Sequence, residues 1–252
     1  MLLHEEGLFN SCPLYCIELR GTKMETLEIN DTQTVNDASV AVEKATTAYR
    51  KKPVFDFFKR VFDIVASFLG LIILSPLFLV VSLLIFAEDK GNPFYCQTRI
   101  GKNGKPFKMF KFRSMCKNAD QLLPQLQELN EVDGPVFKIK DDPRITKIGK
   151  AIRKCSIDEL PQLLNILIGK MSVVCPRPPL PNEVEQYTEY QLQRLSIKGG
   201  LTCIWQVSGR SDLPFEDWVE MDLDYIKRRS PLLDLKLILL TVRIVFTGKG
   251  AY

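Results

Sequence analysis

The alternation of apolar and polar positions divides the chain into three unequal parts. Up to about residue 50, charged and Ser/Thr/Asn residues interrupt the apolar ones, and only Asp37–Arg50 reads as a helix, opening on an Asn36/Asp37 cap. Then comes Ile64 to Ala87, IVASFLGLIILSPLFLVVSLLIFA, 24 consecutive residues without a charge. At about 1.5 Å rise per residue such a helix reaches roughly 36 Å, enough for a bilayer core of about 30 Å. Beyond it the apolar positions form short runs separated by turn residues, the pattern of small strands and amphipathic helices.

Ser75-Pro76 lies in the middle of the apolar run. Proline removes one backbone hydrogen bond and clashes with the carbonyl four residues back, so a kink or break is expected there. Both flanks are basic: Lys51, Lys52, Lys59 and Arg60 precede the run, and Arg99, Lys102, Lys105, Lys108, Lys111 and Arg113 follow it. Basic flanks favour the cytoplasmic side. A segment that enters, turns at Ser75-Pro76 and leaves by the same face satisfies both flanks. The expected organisation is therefore an appended segment at 1–50, a re-entrant membrane helical hairpin at 51–90, and a cytoplasmic domain at 91–252. A buried core helix and a kinked spanning helix are the competing readings.

In the third part, FYCQTRI-GKNGK-PFKMFKF predicts two strands around Asn103-Gly104, with Phe110 and Phe112 on one face and Lys111 and Arg113 on the other. Residues 116–135 begin as a helix and end at Asp133-Gly134-Pro135. DDPRITKIGKAIRK reads as a basic loop and helix. Further on, the pattern predicts a strand at Met171–Val174, a charged helix from Asn182 to about Ile197, and a strand at Leu201–Val207. A turn at Ser208-Gly209-Arg210 and a helix around Phe215–Lys227 follow. The final apolar helix carries Lys236 and Arg243 on one face, suited to the membrane interface. The fold class is thus α/β (α+β), mostly helical, with a small β-hairpin and interfacial amphipathic helices.

Charge sharpens this division. Residues 1–50 hold four basic and eight acidic residues, so the net +4 of the whole chain conceals +8 on the remainder. A basic body beside a membrane segment suits anionic headgroups and phosphorylated substrates. No nucleic-acid motif accompanies the charge, so nucleic acid is not expected as a partner. The seven cysteines show no CxxC pair, and their scatter suits a reducing compartment. His4 is the only histidine, which removes Cys/His zinc clusters and Ser-His or Cys-His catalysis. The start, MLLHEEGLF, lacks the features of a cleavable signal peptide.

Chemistry must then come from carboxylates, lysine, arginine, cysteine or a metal, and SIDELPQLLNIL at 156–167 is the most informative stretch. Ser156 and Glu159 have capping-box spacing. Pro161 opposes that register, because it cannot donate to the carbonyl of Ile157. A helix opening at Asp158 instead puts Pro161 in the first turn and two adjacent carboxylates at a helix N-terminus, where they invite a divalent cation. Further on, prolines on both sides of Arg177 hold it in extended backbone, a presentation that suits phosphate.

From about Phe55 to Tyr252 the chain resembles the monotopic phosphoglycosyl transferases, bacterial sugar transferases. The matching pieces are FKRVFDIVASFLGLIILSPLF, KFRSM, DPRITKIGKAIRKCSIDELPQLLNIL, GKMSVVCPRP, WQVSGR and DLKLILLTVRIVFTGKGAY. The resemblance implies transfer of sugar-1-phosphate from a UDP-sugar to polyprenyl (undecaprenyl) phosphate, at the start of surface polysaccharide or glycoconjugate synthesis. It implies a place at the bacterial inner membrane and a short catalytic form of the family. Asp158 would be the nucleophile, forming a covalent phosphosugar, and Glu159 a ligand of Mg2+. Arg177 would bind nucleotide or phosphate. Lys111 and Asp222 match active-site positions, and Arg144 and Arg210 lie in family motifs. Ser75 and Pro76 match the family's membrane-helix break. Cys175 and Cys203 stand where the family usually has glycine, and Gly199 where proline is common. These departures leave a catalytically inactive membrane-tethered scaffold as the alternative function. No residue pattern reads the identity of the sugar or the oligomeric state.

Overall fold

The computed structural model describes residues 52–131, 134–137, 139, 141–209 and 213–247. The segment 1–50, Arg210 and the last five residues lie outside these, so the expectations placed there are not addressed.

Helix α1 runs from Pro53 to Asp89, 37 residues, and Ser75-Pro76 does not interrupt it. The expected break is therefore absent as a break in helical structure. The physical reason is local: Pro76 has no N–H for the carbonyl of Ile72, and the Ser75 hydroxyl donates to that carbonyl instead, at 2.8 Å.

One stripe of α1 faces the body. Arg60, Asp63, Ser67, Gly70, Leu74, Phe78, Val81, Ile85 and Glu88 recur at three- and four-residue spacing, and each contacts another element or is buried. The remaining faces carry exposed Phe57, Phe58, Ile72, Ile73, Leu79 and Leu83. Only 11% of the apolar window is buried, which rules out the reading of a soluble core helix.

Strands β1 (Phe94–Ile100) and β2 (Pro106–Phe112) form the antiparallel hairpin, with Cys96 opposite Phe110. Asn103 and Gly104 have φ of 57° and 74°, the two positive values that a type I′ turn requires. The two faces alternate as expected, and the cation-bearing face is covered. Phe107 and Met109 pack on one face with Leu163 and Ile166, and Lys111 shares that face by alternation. Phe112 packs on the other face, against Phe78, Val81 and Ile152. Both faces are covered, so Lys111 is turned inward rather than out to solvent.

Three other expectations change, while the basic helix expected within DDPRITKIGKAIRK is found. Pro124 leaves only a short α2 (Ala119–Leu122), followed by a 3-10 helix at Leu123–Leu129. The basic helix α3 spans Lys147–Lys154, capped by Thr146 and by Glu88 of α1. The helix expected at 182–197 is divided into α5 (Pro181–Val184), α6 (Glu189–Leu192) and a 3-10 turn, because Thr188 and Gln191 cap a fresh start. The strand expected at 201–207 is β4 (Gly199–Thr202) followed by α7 (Ile204–Ser208).

Strand β3 (Met171–Val174) pairs parallel to β4, with Met171 opposite Gly199. Helix α4 (Gln162–Leu167) precedes β3 and ends at Gly169, whose φ is +84°. Helices α8 (Phe215–Arg228) and α9 (Pro231–Thr247) close the body. Its largest core cluster joins Val174, Trp205, Trp218, Leu223, Tyr225 and Leu237 from β3, α7, α8 and α9.

Candidate active site

A cleft of about 320 Å³ lies where the end of β2, the α3–α4 connection, the proline-rich segment after β3 and the aromatic residues of α7 and α8 converge. The connection is tightly wound. Ser156 takes the left-handed conformation, φ 55° and ψ 22°, without capping by its side chain. The chain then makes a 3-10 turn over Ile157–Glu159, and α4 starts at Gln162 with Pro161 just before it. Neither register read from the sequence is realised: the capping box is not formed, and the carboxylates sit one turn ahead of α4. A left-handed serine is uncommon and disfavoured, and here it swings Asp158 and Glu159 into the cleft.

Neighbouring elements fix the carboxylates. Glu159 Oε1 accepts from Lys111 Nζ at 2.9 Å and from Arg177 Nη1 at 2.9 Å. Lys111 is placed by β2, whose outer edge is held by Asn165 of α4: its Oδ1 accepts from the Phe110 amide and its Nδ2 donates to the Lys108 carbonyl. Arg177 is placed from two sides. The Cys175 amide donates to Thr202, the Gly200 amide to Pro176, and the Ile100 amide to Pro179. Arg153, in the last turn of α3, enters the same cleft with its Nε donating to Ser114 Oγ at 2.8 Å.

The two carboxylates are driven apart electrostatically. Burial, and then the adjacent Glu159 charge, push Asp158 above the usual carboxylate range. Burial acts on Glu159 in the same direction, but Lys111 and Arg177 outweigh it and hold it well below that range. Glu159 is thus fixed as an anion, while Asp158 is the more basic, poorly solvated oxygen donor. That is the division of labour expected of a structural or metal-binding carboxylate beside a nucleophilic one.

Asp158, Glu159, Lys111 and Arg177 come together in this cleft as the sequence led one to expect. Arg144 does not line it: Nε and Nη2 are bonded to Asp142, and the guanidinium lies 5.5 Å from the ring of Phe137. Asp222 is also displaced from it. It is fully buried behind the cleft, where it receives Arg194 at 2.7 Å, and it is Arg194 that lines the wall. Ser75 and Pro76 lie in the middle of α1. Cys175 and Cys203 are buried core residues outside the cleft lining, and neither has positive φ. Arg99, Arg153, Tyr187, Trp205 and Trp218 line the cleft and were not singled out as site residues from the sequence. An arginine within the largely apolar strand FYCQTRI was the available signal for the first.

Among the described residues no group of three His, Cys, Asp or Glu side chains could hold a metal. A pair of carboxylates nevertheless fits Mg2+, which commonly takes one or two and completes its shell with water and substrate phosphate oxygens. Both cations bind Oε1 of Glu159, so the fit uses its other oxygen together with Asp158.

A cleft that pairs two carboxylates with several arginines and a lysine belongs to the chemistry of phosphorylated substrates. The comparisons give the class. Residues 54–248 match the family model of the bacterial sugar transferases, and the chain belongs to that family. It is 46% identical over 196 residues to a galactosyl transferase of Streptococcus agalactiae serotype III, covering 77% of this chain and 43% of that one. It is 41% identical to the exopolysaccharide production protein ExoY of Sinorhizobium fredii, covering 84% of this chain and 99% of the relative. It is 37% identical to a UDP-glucose:undecaprenyl-phosphate glucose-1-phosphate transferase of Klebsiella pneumoniae, covering 93% and 51%. The chain thus spans about half or less of two of these relatives and nearly all of the third.

Proposed function

We propose that this protein transfers a sugar-1-phosphate from a UDP-sugar to polyprenyl phosphate through a covalent phosphosugar on Asp158, initiating surface polysaccharide synthesis. The observation that carries the reading is the pinning of Glu159 by Lys111 and Arg177 beside a buried, more basic Asp158. In the first step an Asp158 carboxylate oxygen attacks the sugar-bearing phosphorus, and the bridging P–O bond breaks to release UMP. In the second, an oxygen of polyprenyl phosphate attacks the same phosphorus, and the bond to Asp158 breaks, leaving polyprenyl-diphosphate-sugar and the free carboxylate. Arg177 and Lys111 stabilise negative charge on the phosphates. Glu159, with Asp158 beside it, is the pair to hold Mg2+, which when bound neutralises charge on the diphosphate.

A monotopic placement, with both ends of α1 on one side of the bilayer, is part of this proposal. Its support is that both ends of α1 are tied to the same body. At the start Lys52 donates to the carbonyls of Lys227 and Arg229, and Lys59 pairs with Asp234 of α9. At the end Glu88 accepts from Lys147 and Ile148 of α3. A helix crossing the bilayer would carry its two ends to opposite sides, and one body cannot hold both. Exposed Leu232, Leu235 and Leu239 of α9 extend the apolar surface of α1. The test is UMP release by the full chain in membranes, given UDP-sugars, Mg2+ and polyprenyl phosphate. Release that depends on Asp158 supports the reading; a protein that binds these substrates without releasing UMP refutes it.

A further inference from the structure

Five cationic side chains line the cleft, and ion pairs among the described residues account for three of them. Lys111 and Arg177 share Glu159, and Arg194 is paired with Asp222. Arg153 rests on a serine hydroxyl. Arg99, only 7% exposed, has no carboxylate at ion-pair distance among the described residues. Its Nε and Nη2 donate to Gln97 Oε1 at 3.1 and 2.8 Å, and its Nη1 donates to the carbonyl of Pro178 at 3.1 Å. Three of its five N–H groups are thereby used, which leaves one on each terminal nitrogen, the arrangement that grips a phosphate with two bonds. Burial, and then the neighbouring Arg177 charge, bring its pKa down to about 10. Burying an unpaired guanidinium beside a second one is unfavourable unless a ligand supplies the anion.

The groups that share the cleft with Arg99 bear on which anion that is. Asp158 lies among Glu159, Lys111, Arg153 and Arg177. Arg99 lies among Arg177, Glu183, Glu159 and Tyr187. Arg177 and Glu159 neighbour both groups, so the nucleophile and Arg99 belong to one charged cleft. Beyond Arg99 the wall becomes aromatic: Tyr187 packs on Phe215 at 5.7 Å, and Phe215 meets Trp218 edge to face at 6.2 Å.

We propose that Arg99 binds the phosphate of the departing nucleoside monophosphate, with its base against the aromatic end at Tyr187 and Phe215 and the sugar phosphate between Arg177 and Asp158. This rests on the donor being a UDP-sugar, as proposed above. As the bond from Asp158 to the sugar phosphorus forms, the bridging oxygen departs with its electron pair and becomes a terminal oxygen of UMP. Arg99 meets the charge that develops there.

The test is titration of UMP and of uridine into the full chain in detergent, for wild type, Arg99→Gln and Arg99→Lys. Arg99→Gln should lose about 10- to 100-fold in UMP affinity, the size of a charge-assisted contact, and leave uridine affinity unchanged. Arg99→Lys should recover part of the loss. UMP affinity equal to wild type in Arg99→Gln overturns the assignment. So does a parallel fall for UMP and uridine, which is what loss of the Pro178 contact alone would cause. A wild-type protein that binds no UMP overturns the UDP-sugar reading itself, an outcome distinct from either result confined to the variant.

Discussion

Asp63, a carboxylate within the membrane-proximal helix α1, accepts a hydrogen bond from the backbone amide of Val173 at 2.9 Å, four residues before Arg177. The residue is 3% exposed. Three residues earlier, Arg60 donates to the carbonyls of Ile166 and Leu167 at the end of α4, at 2.6 and 2.8 Å. The apolar helix is therefore joined to the helix that follows the acidic pair and to the strand that leads to Arg177, through polar groups on its buried stripe. Asp63→Leu leaves the Val173 amide without its acceptor and should cost about 1–3 kcal/mol. Asp63→Asn, which keeps a carbonyl oxygen, should cost less. Thermal unfolding in detergent measures both. Equal stability for Leu and wild type would remove the role assigned to this contact.

Two glycines separate a tight approach from a loose one. A Cβ on Gly149 would lie 1.9 Å from the Ser114 carbonyl oxygen, whereas one on Gly70 would first meet the end of the Leu163 side chain at 3.1 Å. Backbone cannot yield as a leucine methyl can. Gly149→Ala should therefore destabilise by about 1–3 kcal/mol or more, and should also disturb Arg153, which rests on Ser114. Gly70→Ala should be tolerated, helped by the higher helix propensity of alanine. Thermal unfolding of the two variants side by side decides this, and an equal loss in both would contradict the packing described.

Asp222 provides a pH signature. Burial raises it to about 6, although Arg194 lowers it in part. Among the described residues its Oδ1 has no hydrogen-bond partner. An unfolded aspartate titrates near about 3.9, so between that value and about 6 the folded state binds more protons than the unfolded one. Stability contributed by this group is present at low pH and is lost as pH rises through the window, by on the order of 3 kcal/mol. The stability of wild type relative to Asp222→Asn should fall across pH 4 to 6 and level off above it. A constant difference across that range would show that Arg194 keeps the carboxylate ionised throughout.

Local chemistry was legible in the sequence, and tertiary contact was not. The hairpin could be read because Asn103-Gly104 is nearly alone in accepting two successive positive φ angles. Helices α3, α8 and α9 could be read from their periodicity. The helix expected over 182–197 failed at Thr188, a cap whose strength depends on Gln191 folding back to it. The inward turn of Lys111 was hidden, because strand alternation does not reveal that both faces of β2 are covered. Asp158, Glu159, Arg177 and Lys111 were found as residues, yet their convergence depends on a left-handed serine and an asparagine clamping a strand edge, neither of which leaves a periodic trace. Arg99 and Arg153 were counted only as bulk charge, although Arg99 sits in a largely apolar strand. The uninterrupted helix at Ser75-Pro76 has the same kind of cause: a serine hydroxyl serves the carbonyl that proline leaves free.

The central claim is that Asp158 carries the phosphosugar. The full chain should be incubated with UDP-sugars and Mg2+ in the absence of lipid acceptor and examined by intact-protein and peptide mass spectrometry. The account predicts a mass increase of a single phosphosugar on the peptide containing Asp158, matched by released UMP. The adduct should disappear on addition of polyprenyl phosphate and be absent in Asp158→Asn. Release of UMP only when acceptor is present with no adduct at any stage, or an adduct that persists in Asp158→Asn, would contradict it.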